Sequence, residues 1–400
     1  MHHIRFRWLL LLLLALPGTS TYAKGLYDTD IKPADAVPAQ YIPMLQGKRV
    51  ALVINQTSKV GDTSLLDILI SRGVNVVKIF VPEHGFRGNE DAGATIENMR
   101  DSATHLPIIS LYGNHKKPKP EDLADVDILI YDLQDVGARF YTYISTLEYC
   151  IEACAQNHKQ LMILDRPNPN GWYVDGPVLE KENKSFIGMQ SIPIVYGMTA
   201  GEYATMLAGE HWIDTAGLDL KVIKCQHYTH DKKYELPVSP SPNLKNMAAV
   251  YAYPSICLFE GTVVSVGRGT GLPFQQFGCP ELEGKYTYSF TPQSMAGAKS
   301  PPYEGKVCYG ELVGTIAEEV LDKTKGELRL NWLIAAYTAY PAKDKFFTAF
   351  FVKLAGTAKL AEQIKNGDSE KAIRTSWQKD IDAFMNIRKK YLLYPDFKRK

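Results

Sequence analysis

The sequence predicts an α/β fold, a doubly wound and mostly parallel sheet followed by a smaller C-terminal α+β domain. Strand-like and helix-like runs alternate through the first half of the chain, the rhythm of βα units that build a parallel sheet. Three of the strand-like runs, 76–81, 127–131 and 161–164, each end in a polar, charged cluster. In an open parallel sheet such ends lie along one edge, where ligands bind. At 400 residues the chain is long enough for two domains with substantial cores.

In chain order, residues 49–54 read as a buried strand, 63–71 as an amphipathic helix closed by Gly73, and 76–81 as the next strand. Further strands are expected at 107–111, 127–131 and 161–164, the last two separated by a helix over 142–158. A helix over 201–212 and a strand over 220–224 follow, and the proline-rich stretch 237–242 then breaks regular structure. Glycine and proline are dense over 261–284 and 292–305, which places a domain boundary near Gly284. The expected division is a catalytic domain over 24–284 and an auxiliary domain over 285–400, with helical segments at 310–321 and 372–388.

The N-terminus has the layout of a secretory signal. Arg5 and Arg7 precede an apolar run from Trp8 to Leu16, and a small-residue stretch ends at Ala23, so residues 1–23 are expected to be removed. The run is too short to span a bilayer, and the protein is expected to be exported, periplasmic or secreted, without stable membrane insertion. With 45 Lys and Arg against 44 Asp and Glu, the net charge of +1 offers no footprint for nucleic acid. The six cysteines, Cys150, Cys154, Cys225, Cys257, Cys279 and Cys308, are sparse for a disulfide scaffold and lack the paired spacing of a zinc site. They are expected to be small core residues, Cys150 and Cys154 one turn apart on a buried helix face.

Several chemistries find no support. Gly267-Arg268-Gly269-Thr270-Gly271 has its third glycine too early for a dinucleotide loop, and Leu272-Pro273 cannot open a helix there. No G-x-S-x-G elbow and no phosphate-binding P-loop motif is present. Glu83, His84, Asp132, Asp135 and Asp165 could supply metal ligands, but no second histidine stands at ligand spacing, so no metal and no cofactor is expected. Carboxylate acid–base chemistry remains, as in glycoside cleavage, where one protonated carboxyl assists the leaving oxygen and a second group supplies base or nucleophile. Glu83, between Pro82 and a glycine-rich turn, is the candidate acid, although pairing with Arg87 or Arg139 would explain it equally well. Asp132 and Asp135 are candidate partners, and each could instead cap the next helix. Arg139, Tyr141 and Tyr143 suit a sugar that carries a carboxylate, and packing at a helix start accounts for the tyrosines as well.

Eight segments in order resemble one family. They are Pro-Glu-His-Gly-Phe-Arg-Gly (82–88), Ser-Leu-Tyr-Gly (110–113), Asp-Leu-Gln-Asp-Val-Gly-Ala-Arg-Phe-Tyr-Thr-Tyr (132–143) and Leu-Asp-Arg-Pro-Asn-Pro (164–169). Pro-Ser-Pro-Asn (240–243), Phe-Glu-Gly-Thr (259–262), Gly-Arg-Gly-Thr (267–270) and Tyr-Leu-Leu-Tyr (391–394) continue the match. Together, over 49–395, they resemble the exo-β-N-acetylmuramidases, glycoside hydrolase family 171, long catalogued as a domain of unknown function. The resemblance implies a Rossmann-like catalytic domain, a C-terminal auxiliary domain, and release of N-acetylmuramic acid from the non-reducing ends of peptidoglycan fragments.

The resemblance also makes Glu83 the catalytic glutamate. Asp132, Asp135 and Glu260 are candidates for the second group, unless the substrate's own acetamido group attacks. His84, Arg87, Arg139, Tyr141, Asp165, Arg166, Asn168, Asn243, Glu260 and Arg268 are expected to bind substrate, with Arg139, Arg166 or Arg268 reading the lactyl carboxylate of muramic acid. Leu244-Lys245-Asn246 departs from the pattern where another proline is expected. That departure leaves endo action open as an alternative, beside a metal-dependent hydrolase and a non-catalytic protein that binds cell-wall fragments.

Overall fold

The computed structural model describes residues 25–82 and 99–398. Its centre is a seven-stranded sheet made of β1 (Arg49–Ile54), β2 (Asn75–Val81), β3 (Met99–Arg100), β4 (Pro107–Ser110), β5 (Ile128–Asp132), β6 (Gln160–Leu164) and β7 (Asp219–Ile223). The spatial order is β3-β4-β2-β1-β5-β6-β7, with β3 antiparallel to β4 and the other six strands parallel. Counting only the parallel strands gives the Rossmann order 3-2-1-4-5-6, which reverses between β1 and β5. That reversal opens a crevice beyond Ile54 and Asp132, which face each other across the pair.

The strands read as unbroken apolar runs because both sheet faces are covered. Val50, Leu52 and Ile54 of β1 enter one apolar cluster with Ile130, Met162 and Leu164, while Ala51 and Val53 enter the other with Leu129 and Ile163. The second cluster is continuous with the C-terminal helices through Phe259, Phe277 and Phe384. Covering helices are α1 (Leu65–Ser71), α2 (Tyr143–Gln156) and α3 (Ala200–Gly209). Ser64 caps α1 by accepting from the Asp67 amide, and Thr199 with Glu202 forms a reciprocal capping box on α3. All six cysteines are free and buried, and Cys150 and Cys154 both lie on the inner side of α2.

The C-terminal part holds α4 (Met247–Ile256) and a small antiparallel sheet of β8 (Gln276–Cys279), β9 (Tyr288–Phe290) and β10 (Cys308–Leu312), in the order β8-β10-β9. Five helices follow: α5 (Ala317–Thr324), α6 (Leu330–Ala339), α7 (Phe350–Ala355), α8 (Lys359–Lys365) and α9 (Glu370–Arg388). Gly284 lies between β8 and β9, so this sheet begins ahead of the expected boundary. Residues 310–312, expected to be helical, belong to β10. Gly310 allows the chain there to close on β8, where a Cβ would sit 1.7 Å from the Phe277 carbonyl oxygen. The C-terminal segment returns to the main sheet. Arg388 donates twice to the Gly197 carbonyl and pairs with Asp396, while Tyr394 donates to Asp165 at 2.6 Å.

Candidate active site

Two buried acidic residues stand at the C-terminal end of β5, and each is held by a different partner. Asp132, the last residue of β5, accepts from Arg166 Nε at 2.6 Å and Nη2 at 3.0 Å. The same Nη2 reaches Asp35 of the N-terminal segment at 2.5 Å, so one buried guanidinium bridges two buried carboxylates. Burial, reinforced by Asp132 and opposed by Arg166, pushes the Asp35 carboxyl up to about 7. Asp135 accepts from the Gly137 amide at 2.6 Å and the Tyr196 hydroxyl at 2.5 Å. Its Oδ1 is buried and has no hydrogen-bond partner among the described residues, and burial pushes this carboxyl up to about 7 as well. Neither aspartate caps α2, whose N-cap is Thr142.

Gly137 shows why this turn needs glycine. Its φ is +78°, and a Cβ would lie 2.2 Å from Asn168 Oδ1. Asn168 itself donates to the Met198 carbonyl at 2.7 Å and accepts from the Asn170 amide at 2.8 Å.

The expected binding residues divide into a frame and a surface. Arg139 is fully buried and donates to four carbonyls, of Pro177, Ile192, Leu354 and Ala355, at 2.8–2.9 Å. Among the described residues its terminal nitrogens meet backbone carbonyls and no carboxylate. Arg166 is likewise occupied by its two aspartates. Asp165 accepts from Thr199, Tyr394 and the Gly201 amide, tying the end of β6 to the start of α3 and to the C-terminal segment. Asn243 donates to the Gly297 carbonyl at 2.9 Å. Arg139, Asp165, Arg166, Asn168 and Asn243 are each buried and hydrogen-bonded to protein partners. Glu83, His84 and Arg87 lie outside the described residues.

A line of buried rings packs between the β1–β5 ends and the C-terminal part. Tyr143 accepts from Asn55 at 2.7 Å, and the Tyr141 hydroxyl donates to the Pro240 carbonyl at 2.8 Å. Ring centroids run from Tyr143 to Tyr141 at 4.7 Å, on to Tyr253 at 5.9 Å, and on to Phe274 at 5.0 Å. The Arg268 guanidinium carbon lies 5.0 Å from the Phe274 ring centroid, and Arg268 Nε donates to Glu260 at 2.7 Å. Glu260 and Arg268 remain partly exposed and line a cavity of about 130 Å³ with Thr262, Ser265 and Pro302. The 240–246 loop closes on the β1 end, where Gln56 donates to the Ser239 and Pro240 carbonyls. Its departure from the proline pattern has a local cause, since Asn246 caps α4 by accepting from the Ala249 amide.

Asp35, Asn55, Tyr196 and Tyr253 complete this arrangement and carried no motif signal. Only Asn55, directly after a strand at the switch point, could have been found by position. Among the described residues, no three His, Cys, Asp or Glu side chains are grouped to hold a metal ion.

The family description "Exo-beta-N-acetylmuramidase NamZ, N-terminal" matches residues 50–248, and "Exo-beta-N-acetylmuramidase NamZ, C-terminal" matches 251–394. The chain belongs to the exo-β-N-acetylmuramidase family. It is 38% identical over 380 residues to the peptidoglycan β-N-acetylmuramidase NamZ of Bacillus subtilis (strain 168), covering 90% of each chain. A DUF1343 family protein of Bacteroides fragilis NCTC 9343 superposes with a TM-score of 0.85 at 47% identity, covering 92% of this chain and 100% of that one. A second from the same organism gives 0.76 at 29% identity, with coverage of 91% and 99%. The Rossmann-like fold and the C-terminal α+β part are thus those of the family, and the resemblance read from the eight motifs is correct.

Proposed function

We propose that this protein is an exported glycoside hydrolase that releases N-acetylmuramic acid from the non-reducing ends of peptidoglycan fragments. The observation that carries the reading is the 38% identity to the peptidoglycan β-N-acetylmuramidase over 90% of both chains, across both family segments. The geometry agrees with it. A crevice opens at the sheet's switch point, where such sheets bind ligands, and Glu83 follows directly on Pro82 at the end of β2, beside β1.

In this mechanism Glu83 protonates the departing glycosidic oxygen. The second group is Glu260 or the substrate's acetamido group, since Asp132 and Asp135 are turned into buried networks while Glu260 opens to a cavity. Free N-acetylmuramic acid, the product, fits reuse of wall material.

The test is hydrolysis of a chromogenic β-N-acetylmuramide beside the matching β-N-acetylglucosaminide. Release from the muramide alone is expected, and Glu83→Gln should lower kcat by roughly 10²–10⁴-fold with the fold intact. Equal release from both sugars, or none from either, would overturn the reading. Export predicts a mature chain that begins at Lys24, read by intact mass of protein recovered outside the cytoplasm; an unprocessed Met1 chain would contradict it.

A further inference from the structure

Arg268 differs from the other two candidate arginines in having its terminal nitrogens uncommitted. Its one hydrogen bond to the described residues runs from Nε to Glu260 Oε1 at 2.7 Å, so that Nη1 and Nη2 have no acceptor among them. A planar guanidinium held at one edge presents the other as a ready two-point donor for a carboxylate. The side chain is also fixed from below, 5.0 Å from the Phe274 ring centroid.

Its backbone is equally constrained. Gly267 and Gly269 on either side have φ of +77° and +80°, and a Cβ on either would fall 2.6 Å from Gln276 or from the Gln293 carbonyl oxygen. The glycines therefore set the loop geometry that holds Arg268 in place, as a recognition group requires.

The cavity that Arg268 and Glu260 line, about 130 Å³, is below the size that encloses a whole small ligand. It suits a substituent. The packed rings of Phe274, Tyr253, Tyr141 and Tyr143 run from beside Arg268 to the switch point. A sugar side group that enters this cavity would meet the partly exposed guanidinium. Muramic acid differs from glucosamine by a lactyl ether that ends in a carboxylate.

We propose that Arg268, oriented by Glu260 and Phe274, binds the lactyl carboxylate and sets the preference for muramic acid over glucosamine. This inference rests on the muramidase reading given above.

The experiment compares kcat/KM for a chromogenic β-N-acetylmuramide and for the same compound with its lactyl acid converted to the carboxamide, using wild type, Arg268→Met and Arg268→Lys. Wild type should favour the acid. Arg268→Met keeps the packing on Phe274 and should lower the acid-to-amide ratio by about 10- to 100-fold, mainly through KM. Arg268→Lys should restore only part of it, because an ammonium lacks the planar fork. A full acid-to-amide preference in Arg268→Met, with normal thermal stability, would overturn the proposal. Absence of muramide hydrolysis by wild type would instead remove the muramidase reading, so the two failures are separable. Calorimetric binding of N-acetylmuramic acid to wild type and Arg268→Met gives a readout free of turnover. Equal affinity of the two proteins would likewise overturn the proposal.

Discussion

Arg139→Met is expected to destabilise the protein by more than about 4 kcal/mol, enough to consume much of a domain's net stability. The Arg139 guanidinium is wholly buried and has no carboxylate partner among the described residues; its charge is dispersed over four carbonyl oxygens. Two belong to the segment after β6, at Pro177 and Ile192, and two to the end of α7, at Leu354 and Ala355. Methionine can fill most of the volume but donates nothing. Four buried carbonyls would then lose a charge-assisted donor, and leaving one buried acceptor unmet costs about 1–3 kcal/mol. Burial alone pushes the Arg139 pKa down to about 9, so the group still enters the fold charged at neutral pH. Lysine would meet fewer of the four acceptors and should recover only part of the loss. The surroundings leave little room for adjustment, since Gly356, with φ of +80°, would place a Cβ 2.6 Å from Arg139 Nη2. Urea denaturation followed by tryptophan fluorescence measures the change. A variant within 1 kcal/mol of wild type would mean that water can replace the guanidinium.

Arg139 also illustrates what the sequence could and could not convey. Its setting, in Arg-Phe-Tyr-Thr-Tyr after a strand end, suggests a carboxylate reader because the nearby phenols suit a sugar. The acceptors that actually hold it are backbone carbonyls 38 to 216 residues away, and a carbonyl has no sequence signature. Asp165 and Arg166 mislead in the same manner, since their partners Asp35, Thr199 and Tyr394 are distant in the chain. Arg268, the third arginine, differs from Arg139 and Arg166 in remaining partly exposed and in having one side-chain partner, Glu260, among the described residues.

The central strands were legible for a different reason. A strand buried on both faces needs an unbroken apolar run, and 49–54 can hardly satisfy any other structure. At the small sheet, composition gave no such constraint. Residues 310–312 become a strand because β8 and β9 pair with them, and α4 was hidden by Pro254 within its last turn. Non-local pairing decides the first, and the second is a helix that the local signal argues against.

The second large effect concerns pH. Wild type is expected to be more stable at pH 5 than at pH 8, by at least ~2 kcal/mol, because four buried carboxyls bind protons more tightly when folded. Burial is the leading cause for each, carrying Asp35, Asp135 and Glu148 up to about 7 and Asp165 up to about 6. A group whose pKa is raised on folding contributes stability that is complete below its unfolded value, near 4. The contribution is lost as pH climbs through the folded value, so the window of loss runs from about 4 to 7.

Arg166→Met should steepen this dependence. The Asp35–Arg166–Asp132 group carries one negative charge in excess when all three are ionised, and a single proton on Asp35 removes it. Without the guanidinium, two buried carboxylates face each other unpaired, which should cost about 3–5 kcal/mol at pH 8. At pH 5 Asp35 is protonated, which removes the repulsion between the two, and most of that cost should vanish. Chemical denaturation of both proteins at the two pH values reads the difference directly. A wild type that gains stability from pH 5 to 8 would show that these carboxyls are ionised in the fold, with water or the peptide dipoles supplying what the side chains do not. An equal loss for Arg166→Met at both pH values would show that the guanidinium matters for its packing and its geometry, with charge a minor part.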